Sequence, residues 1–234
     1  MALTGQWTPG PQDAPALHEL AGALKDMPFW CSVVTGDFTH IGTTALFRKL
    51  MTSERAFGAL YAVQQRLGVT RQPGVRSAGV VIDSVLSGGA DLGAGTVAIE
   101  CHLENRVRAE SGSVLHGLDG ISGPVDIPED TVIHQLPVEL PSGRRGVVIR
   151  VYGVEDDAKM SVPGGKATWF GRPLLAELAA LGLDSEKVWP GLPREEWTLW
   201  NARLFPVTTL DEAWTCARWM LRLSSDYSAA QWKE

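Results

Sequence analysis

VRSAGVVID (75–83), LGAGTVAIE (92–100), AESGSVLHG (109–117) and IPEDTVIHQ (127–135) are four copies of one pattern, starting 17, 17 and 18 residues apart. Four positions into each copy stands a small residue, Gly79, Thr96, Ser113 or Thr131. The next residue is always valine: Val80, Val97, Val114, Val132. A unit this short cannot bury an apolar face by itself, so successive copies must stack into a solenoid. An apolar residue followed by a small one, at about three hexapeptides per period, is the pattern of a hexapeptide β-helix. The spacing predicts about four coils over 74–140, with Val75, Leu92, Ala109 and Ile127 pointing inward at equivalent positions. A meander of short strands with Gly-rich turns is the alternative. The Gly-rich string LSGGADLGAG (86–95) runs in frame into LGAGTV and reads as a β-helix corner. A phosphate cradle would need a helix N-terminus after the turn.

Around the repeat the chain is α/β on one side and helical on the other. Residues 1–12 read as a poorly ordered lead-in. Asp13 and Pro15 open a helix with Leu17, Leu20 and Leu24 on one face. Strands are expected at 30–34 and 38–41. Thr43 or Thr44 caps a helix carrying Leu46, Phe47, Leu50 and Met51. A further helix starts near Glu54 and ends at Gly68. After the repeat, 147–154 reads as a strand and Pro173 opens a helix with Leu174, Leu178 and Leu181 that Gly182 closes. The capping box Thr209–Glu212 starts another, burying Trp214, Ala217 and Leu221. The fold class is therefore mainly β with helices, in three parts: 1–73, 74–140 and 141–234.

The composition sets limits on partners. With 21 basic and 27 acidic residues among 234, the net charge is −6, without a basic run of the kind nucleic acid binding needs. No stretch approaches the ~20 apolar residues of a membrane span, and no signal peptide is evident. Cys31, Cys101 and Cys216 form neither a CxxC nor a Cys/His finger and read as reduced structural thiols of a cytoplasmic protein. Seven of the nine tryptophans lie from Trp169 onward. Such a set either stacks on sugars or packs a helical cap against the open end of the β-helix, and packing is the better reading.

The strings FTHIGTTALFRKL (38–50), GVEDDAK (153–159), WFGRPLLAEL (169–178), VWP (188–190) and LWNARLFP (199–206), with the β-helix between the first two, occur in this order in another group of proteins. In these residues the chain resembles the L-fucokinase/GDP-fucose pyrophosphorylase family, over about 17–223. The resemblance implies a left-handed β-helix and the salvage route from L-fucose through fucose 1-phosphate to GDP-fucose. It also implies a nucleotidyltransferase domain ahead of this region and, in bifunctional members, a sugar kinase domain after it. The chain carries neither a GxxxxGK[ST] loop nor a kinase-type Gly-rich motif for ATP. It therefore reads as the middle part of such an enzyme, with Mg²⁺ expected only alongside the catalytic domains and no cofactor or metal of its own.

The HIGTT string resembles the WxDxGT element that ends many sugar nucleotidyltransferase domains. His40 stands where that element has its metal-binding Asp, and imidazole is a poor ligand for Mg²⁺. His40, Gly42, Thr43 and Thr44 are instead candidates for contacts with a sugar hydroxyl or a phosphate, as a strand–Gly–Thr–helix layout offers backbone N–H groups. His40 as a structural residue at a strand end is the alternative. Asp156, Asp157 and Lys159, with Lys166 and Arg172 near the helix opened by Pro173, are further candidates for a phosphate site, against a plain solvated loop. His116 and His134 share a repeat phase, which places their rings one coil apart; a solvent-facing ladder is favoured over an anion or metal site.

Three functions fit. The chain is an accessory part of a fucose-salvage enzyme that contributes to a sugar-phosphate or nucleotide-sugar site. Alternatively it is an oligomerisation module acting through its β-helix, or a stand-alone sugar-phosphate transferase. Expected partners are fucose 1-phosphate or GDP-fucose, a separate nucleotidyltransferase or kinase chain, and further copies of itself in a homo-oligomer.

Overall fold

A computed structural model describes residues 10, 14–25, 41–52, 69–104, 106–121 and 123–232. The chain divides into two units, 1–40 and 41–234. In the first, α1 (Pro15–Leu24) starts with proline in its first turn and Ala14 at the N-cap, without a side-chain cap. None of its residues is buried, and Leu17 and Leu20 are exposed. Asp13, most of the strands expected at 30–34 and 38–41, and the helix expected from Glu54 lie outside the described residues.

The second unit begins with α2 (Thr44–Thr52), where Thr43 caps: its hydroxyl accepts from the Leu46 N–H at 3.1 Å. The repeat then folds as a three-sided parallel β-solenoid of about three turns. One side stacks β1 (Thr70–Arg71), β4 (Val85–Leu86) and β7 (His102–Leu103). The second stacks β2 (Arg76–Ser77), β5 (Asp91–Leu92), β8 (Val107–Ala109) and β10 (Val125–Ile127). The third stacks β3 (Val80–Ile82), β6 (Val97–Ile99), β9 (Val114–His116) and β11 (Thr131–Glu139), and adds β12 (Arg145–Gly153) antiparallel at its edge. Four sequence repeats give about three turns, fewer than the four coils expected. The last copy enters β11, which leaves the stack to form a hairpin with β12 instead of starting another coil.

The repeat residues divide by direction. Val81, Ala98, Leu115 and Ile133 fill the interior with Leu92, Ala109 and Ile127, all at or below 1 % exposure. Val75 does not join them. Leu92 is paired with Ser77, because the corner between β2 and β3 is two residues shorter than the corners after it. The repeated valines Val80, Val97, Val114 and Val132 point outward from the solenoid and are buried in one cluster with Phe47 and Met51 of α2 and Val154 and Tyr152. Small residues precede them because the corner is tight. A Cβ on Gly79 would meet the Thr96 carbonyl oxygen at 2.3 Å, and Ser113 donates from its hydroxyl to the Pro128 carbonyl at 2.9 Å. At Gly117 the backbone is left-handed (φ 66°) and a Cβ would lie 2.7 Å from the Gln135 carbonyl, so glycine is required there.

Beyond the hairpin, β13 (Thr168–Trp169) and β14 (Arg172–Pro173) form a small ribbon ahead of α3 (Leu174–Ala180). Short α4 (Ser185–Val188), a 3₁₀ turn (Arg194–Glu196), α5 (Leu210–Met220) and α6 (Ala229–Trp232) follow. Thr209 caps α5 by accepting from the Glu212 N–H, while the Glu212 carboxylate takes the Thr208 hydroxyl. Most tryptophans here are packing residues. Trp169, Trp189, Trp197, Trp214 and Trp219 are buried in a core continuous with the solenoid interior. The rings of Trp189 and Trp197 stack at 4.8 Å, and their indole N–H groups donate to the Thr198 and Leu192 carbonyls.

Candidate functional site

The outer face of the third sheet is not uniformly covered. Near its β3 and β6 end, α2 sits on the valine column. Toward β11 and β12 the same face carries His116, His134, Arg150 and Tyr152, because His134 is registered with both His116 and Arg150, and Val132 with Tyr152. Residues one register step apart on the same face of a sheet are neighbours, so these side chains stand together. They floor a cleft of about 420 Å³. One wall is Ile41–Thr44 with Phe47, the second is 156–159, and the third is Leu199, Trp200 and Phe205.

Parts of three strings far apart in the chain therefore converge on one place: Ile41–Thr44 of HIGTT, Asp156–Lys159 of GVEDDAK, and Leu199, Trp200 and Phe205 of LWNARLFP. The last shows how. Leu199 and Leu204 are buried anchors, while Trp200 is 63 % exposed. Asn201 braces the turn: its side-chain oxygen accepts from the Thr198 N–H at 3.0 Å and from the Trp189 indole at 3.1 Å, and its amide donates to the Glu196 carbonyl at 2.8 Å. The turn holds Trp200 and Phe205 at the cleft. Each ring centroid lies 5.7 and 5.8 Å, respectively, from the Arg150 guanidinium, and the Tyr152 ring lies at 5.8 Å. Lys159 stands 5.9 Å from the Trp200 ring. Cation–π contact orients both cations beside flat apolar faces.

The floor carries the Arg150 guanidinium and two imidazoles that are short of hydrogen-bond partners. His116 and His134 meet edge to face, centroids 4.6 Å apart. Nδ1 of His116 and Nε2 of His134 are buried without a hydrogen-bond partner. Burial, then the neighbouring His116 and Arg150, hold the His134 pKa down, at about 4. The two rings stand one coil apart as the repeat phase predicts, and both line the cleft. The walls over the rings come from residues 22 or more positions away in sequence.

Of the candidate residues, Gly42, Thr43, Thr44, Asp156 and Asp157 line this cleft. His40 lies outside the described residues. Asp156 is 7 % exposed and its carboxylate is fully engaged, accepting from the Gly153, Phe170 and Gly171 N–H groups and the Thr168 hydroxyl at 2.6–3.0 Å. It therefore locks the corner after β12 and ties it to the β13–β14 ribbon, leaving Asp157 and Lys159 exposed. Arg172 is elsewhere, in a neighbouring hollow where it pairs with the buried Glu177, as does Arg222. Lys166 is exposed and is not among the residues around the cleft. Arg150, Trp200 and Phe205 were not singled out by sequence. LWNARLFP, the most specific string, was the signal that pointed to two of them. Among the described residues no group of three His, Cys, Asp or Glu side chains is placed to hold a metal, and no helix is long and apolar enough to cross a membrane.

The fold and site together define a parallel β-solenoid that carries an aromatic-walled cleft, with Arg150 and two imidazoles on its floor, on one outer face. The model of the fucose pyrophosphorylase domain matches residues 16–210, so the chain belongs to that family. A bifunctional fucokinase/GDP-fucose pyrophosphorylase of Arabidopsis thaliana is 31 % identical over 97 residues, which is 42 % of this chain and 9 % of that protein. The matched part is thus a small fraction of that relative's length. No solved structure matches.

Proposed function

We propose that this chain is an accessory, non-catalytic part of a fucose-salvage enzyme and that its cleft holds a sugar phosphate or nucleotide sugar, fucose 1-phosphate or GDP-fucose. It works beside a nucleotidyltransferase part, in the same polypeptide or another, and any Mg²⁺ belongs there. One observation carries the reading: Ile41–Thr44, Asp156–Lys159 and the Leu199–Phe205 turn meet around Arg150, two imidazoles and an exposed indole. Cations and ring nitrogens suit a phosphoryl group, and a flat aromatic face suits a sugar or base. Family membership supports the substrate class, and with it a left-handed hexapeptide coil for the solenoid.

Thermal unfolding with added ligand tests this. A ligand at 100 times its dissociation constant stabilises the fold by ~2.7 kcal/mol, an upward shift of roughly 5–10 °C for a chain of this size. Fucose 1-phosphate or GDP-fucose should produce that shift, and Arg150→Met or Trp200→Ala should abolish most of it. Absence of any shift at millimolar ligand overturns the reading and leaves the oligomerisation module as the better one.

A further inference from the structure

The floor of the cleft holds two imidazole rings in edge contact, each with a buried nitrogen that no protein group satisfies. Buried polar atoms are normally paired, and unpaired ones are costly unless a ligand or water completes them. Arg150 stands beside His134 across the β11–β12 pair. Every element around the rings can be read for charge. From β12 comes Arg150, and from the turn after β6 comes Glu100, whose carboxylate is 3.7 Å from His116 Nε2. From the loop after β12 come Asp157 and Lys159, both exposed, and Asp156, whose oxygens are engaged by the backbone and Thr168. The α2 wall and the Trp200–Phe205 wall add no titratable group to the cleft. Burial first, and then His116 and Arg150 beside it, keeps His134 neutral, while the Glu100 carboxylate lies against His116.

Resting on the sugar-phosphate reading above, we propose that His116 and His134 form the seat of the phosphoryl group and that the seat charges by taking up a proton as the anion binds. A phosphoryl oxygen placed between the rings and Arg150 supplies an acceptor. The proton comes from solvent and resides on an imidazole nitrogen, which donates to that oxygen; no bond of the ligand is broken. The affinity of the cleft for phosphate is therefore coupled to pH, tightening as pH falls. Apolar and aromatic walls do not titrate, so stacking sets the ring preference and the histidine pair sets the charge preference.

Carbon-13 NMR of the histidine side chains, followed from pH 8 to pH 4, tests this in the full chain. Two probes are used: fucose 1-phosphate, and sulfate, which keeps its charge over the whole range. Saturation with either should raise the midpoint of His134 by one unit or more. Such a rise is a tenfold tightening of binding below both midpoints relative to above them. His134→Gln should bind sulfate with an affinity that no longer changes with pH. If that variant does not fold, the midpoints in the unsubstituted protein decide. A ligand that binds in an Arg150-dependent way while the His134 midpoint stays fixed or falls overturns the proton-coupled seat and leaves the sugar-phosphate cleft standing. Failure of every probe to bind overturns both.

Discussion

At the residue scale, Asp156 shows why a conspicuous polar string need not face a ligand. GVEDDAK reads as an exposed anionic loop, yet one of its carboxylates is buried and accepts four hydrogen bonds from the corner it closes. Hydrogen bonds to a charged group are worth more than neutral ones, and the donors left behind would be buried. Asp156→Ala should therefore cost on the order of 3 kcal/mol or more in urea unfolding, with Asp156→Asn in between. A loss below half a kilocalorie would mean that the corner closes without it. The neighbouring side chains are a contrast: Asp157 and Lys159 are exposed, held in place by this buried lock. Sequence alone could not tell Asp156 from Asp157, because the four donors come from positions 153 and 168–171.

At the element scale, the period of the repeat was legible and its phase only in part. The valine column and the small residues before it mark the third side of the solenoid in every copy. Leu92, Ala109 and Ile127 face inward as their spacing predicts, but the first copy is displaced by a shorter corner that puts Ser77 where Val75 was expected. A corner can lose two residues without disturbing the strands it joins, so a fixed period over-constrains the first coil. The interior itself tolerates no polar intrusion. Leu92→Asp would bring an unpaired charge into a narrow apolar column, and a loss of more than about 3 kcal/mol is expected. Chemical denaturation of the variant checks it; near-native stability would mean that the column is not the core. The outward valines carried a second message that the pattern did not reveal. A repeated apolar residue on the outside of a solenoid marks the footprint of a covering helix, here α2, and the end of that coverage is where the cleft opens.

At the scale of the whole molecule, solenoid interior and C-terminal helices share one core. Two thiols report on it from opposite sides. Cys101 lies in the solenoid and Cys216 in α5, both buried, and burial pushes each pKa up to about 12. A thiol in that state is neither ionised nor accessible at pH 8, and alkylation needs the thiolate. Both should resist iodoacetamide in the folded protein and become labelled together across the unfolding transition, as read by mass spectrometry of their peptides. Labelling of Cys216 well before Cys101 would show that the helical part opens by itself. The packing role of the tryptophans was legible from their number in so short a stretch. That Trp200 is the exception was not, since its exposure depends on the Asn201 brace and on which way the turn presents it.

The antiparallel strand at the end of the third sheet has one more consequence. A parallel stack is in principle a polymer: each coil offers the next one the same unsatisfied edge, and nothing in the repeat says where to stop. Here β12 reverses direction, and its Val147 exchanges backbone hydrogen bonds with Thr208 on the side away from β11, at 2.8 and 3.1 Å. The growing end is thereby consumed by the chain's own later segment, in the manner of a terminator unit in a chain polymerisation. At the opposite side of that sheet no further strand pairs with β3 among the described residues. At the β12 end, then, the repeat stops because its last strand turns back on itself, and the length of the solenoid is set by that hairpin and not by the repeat.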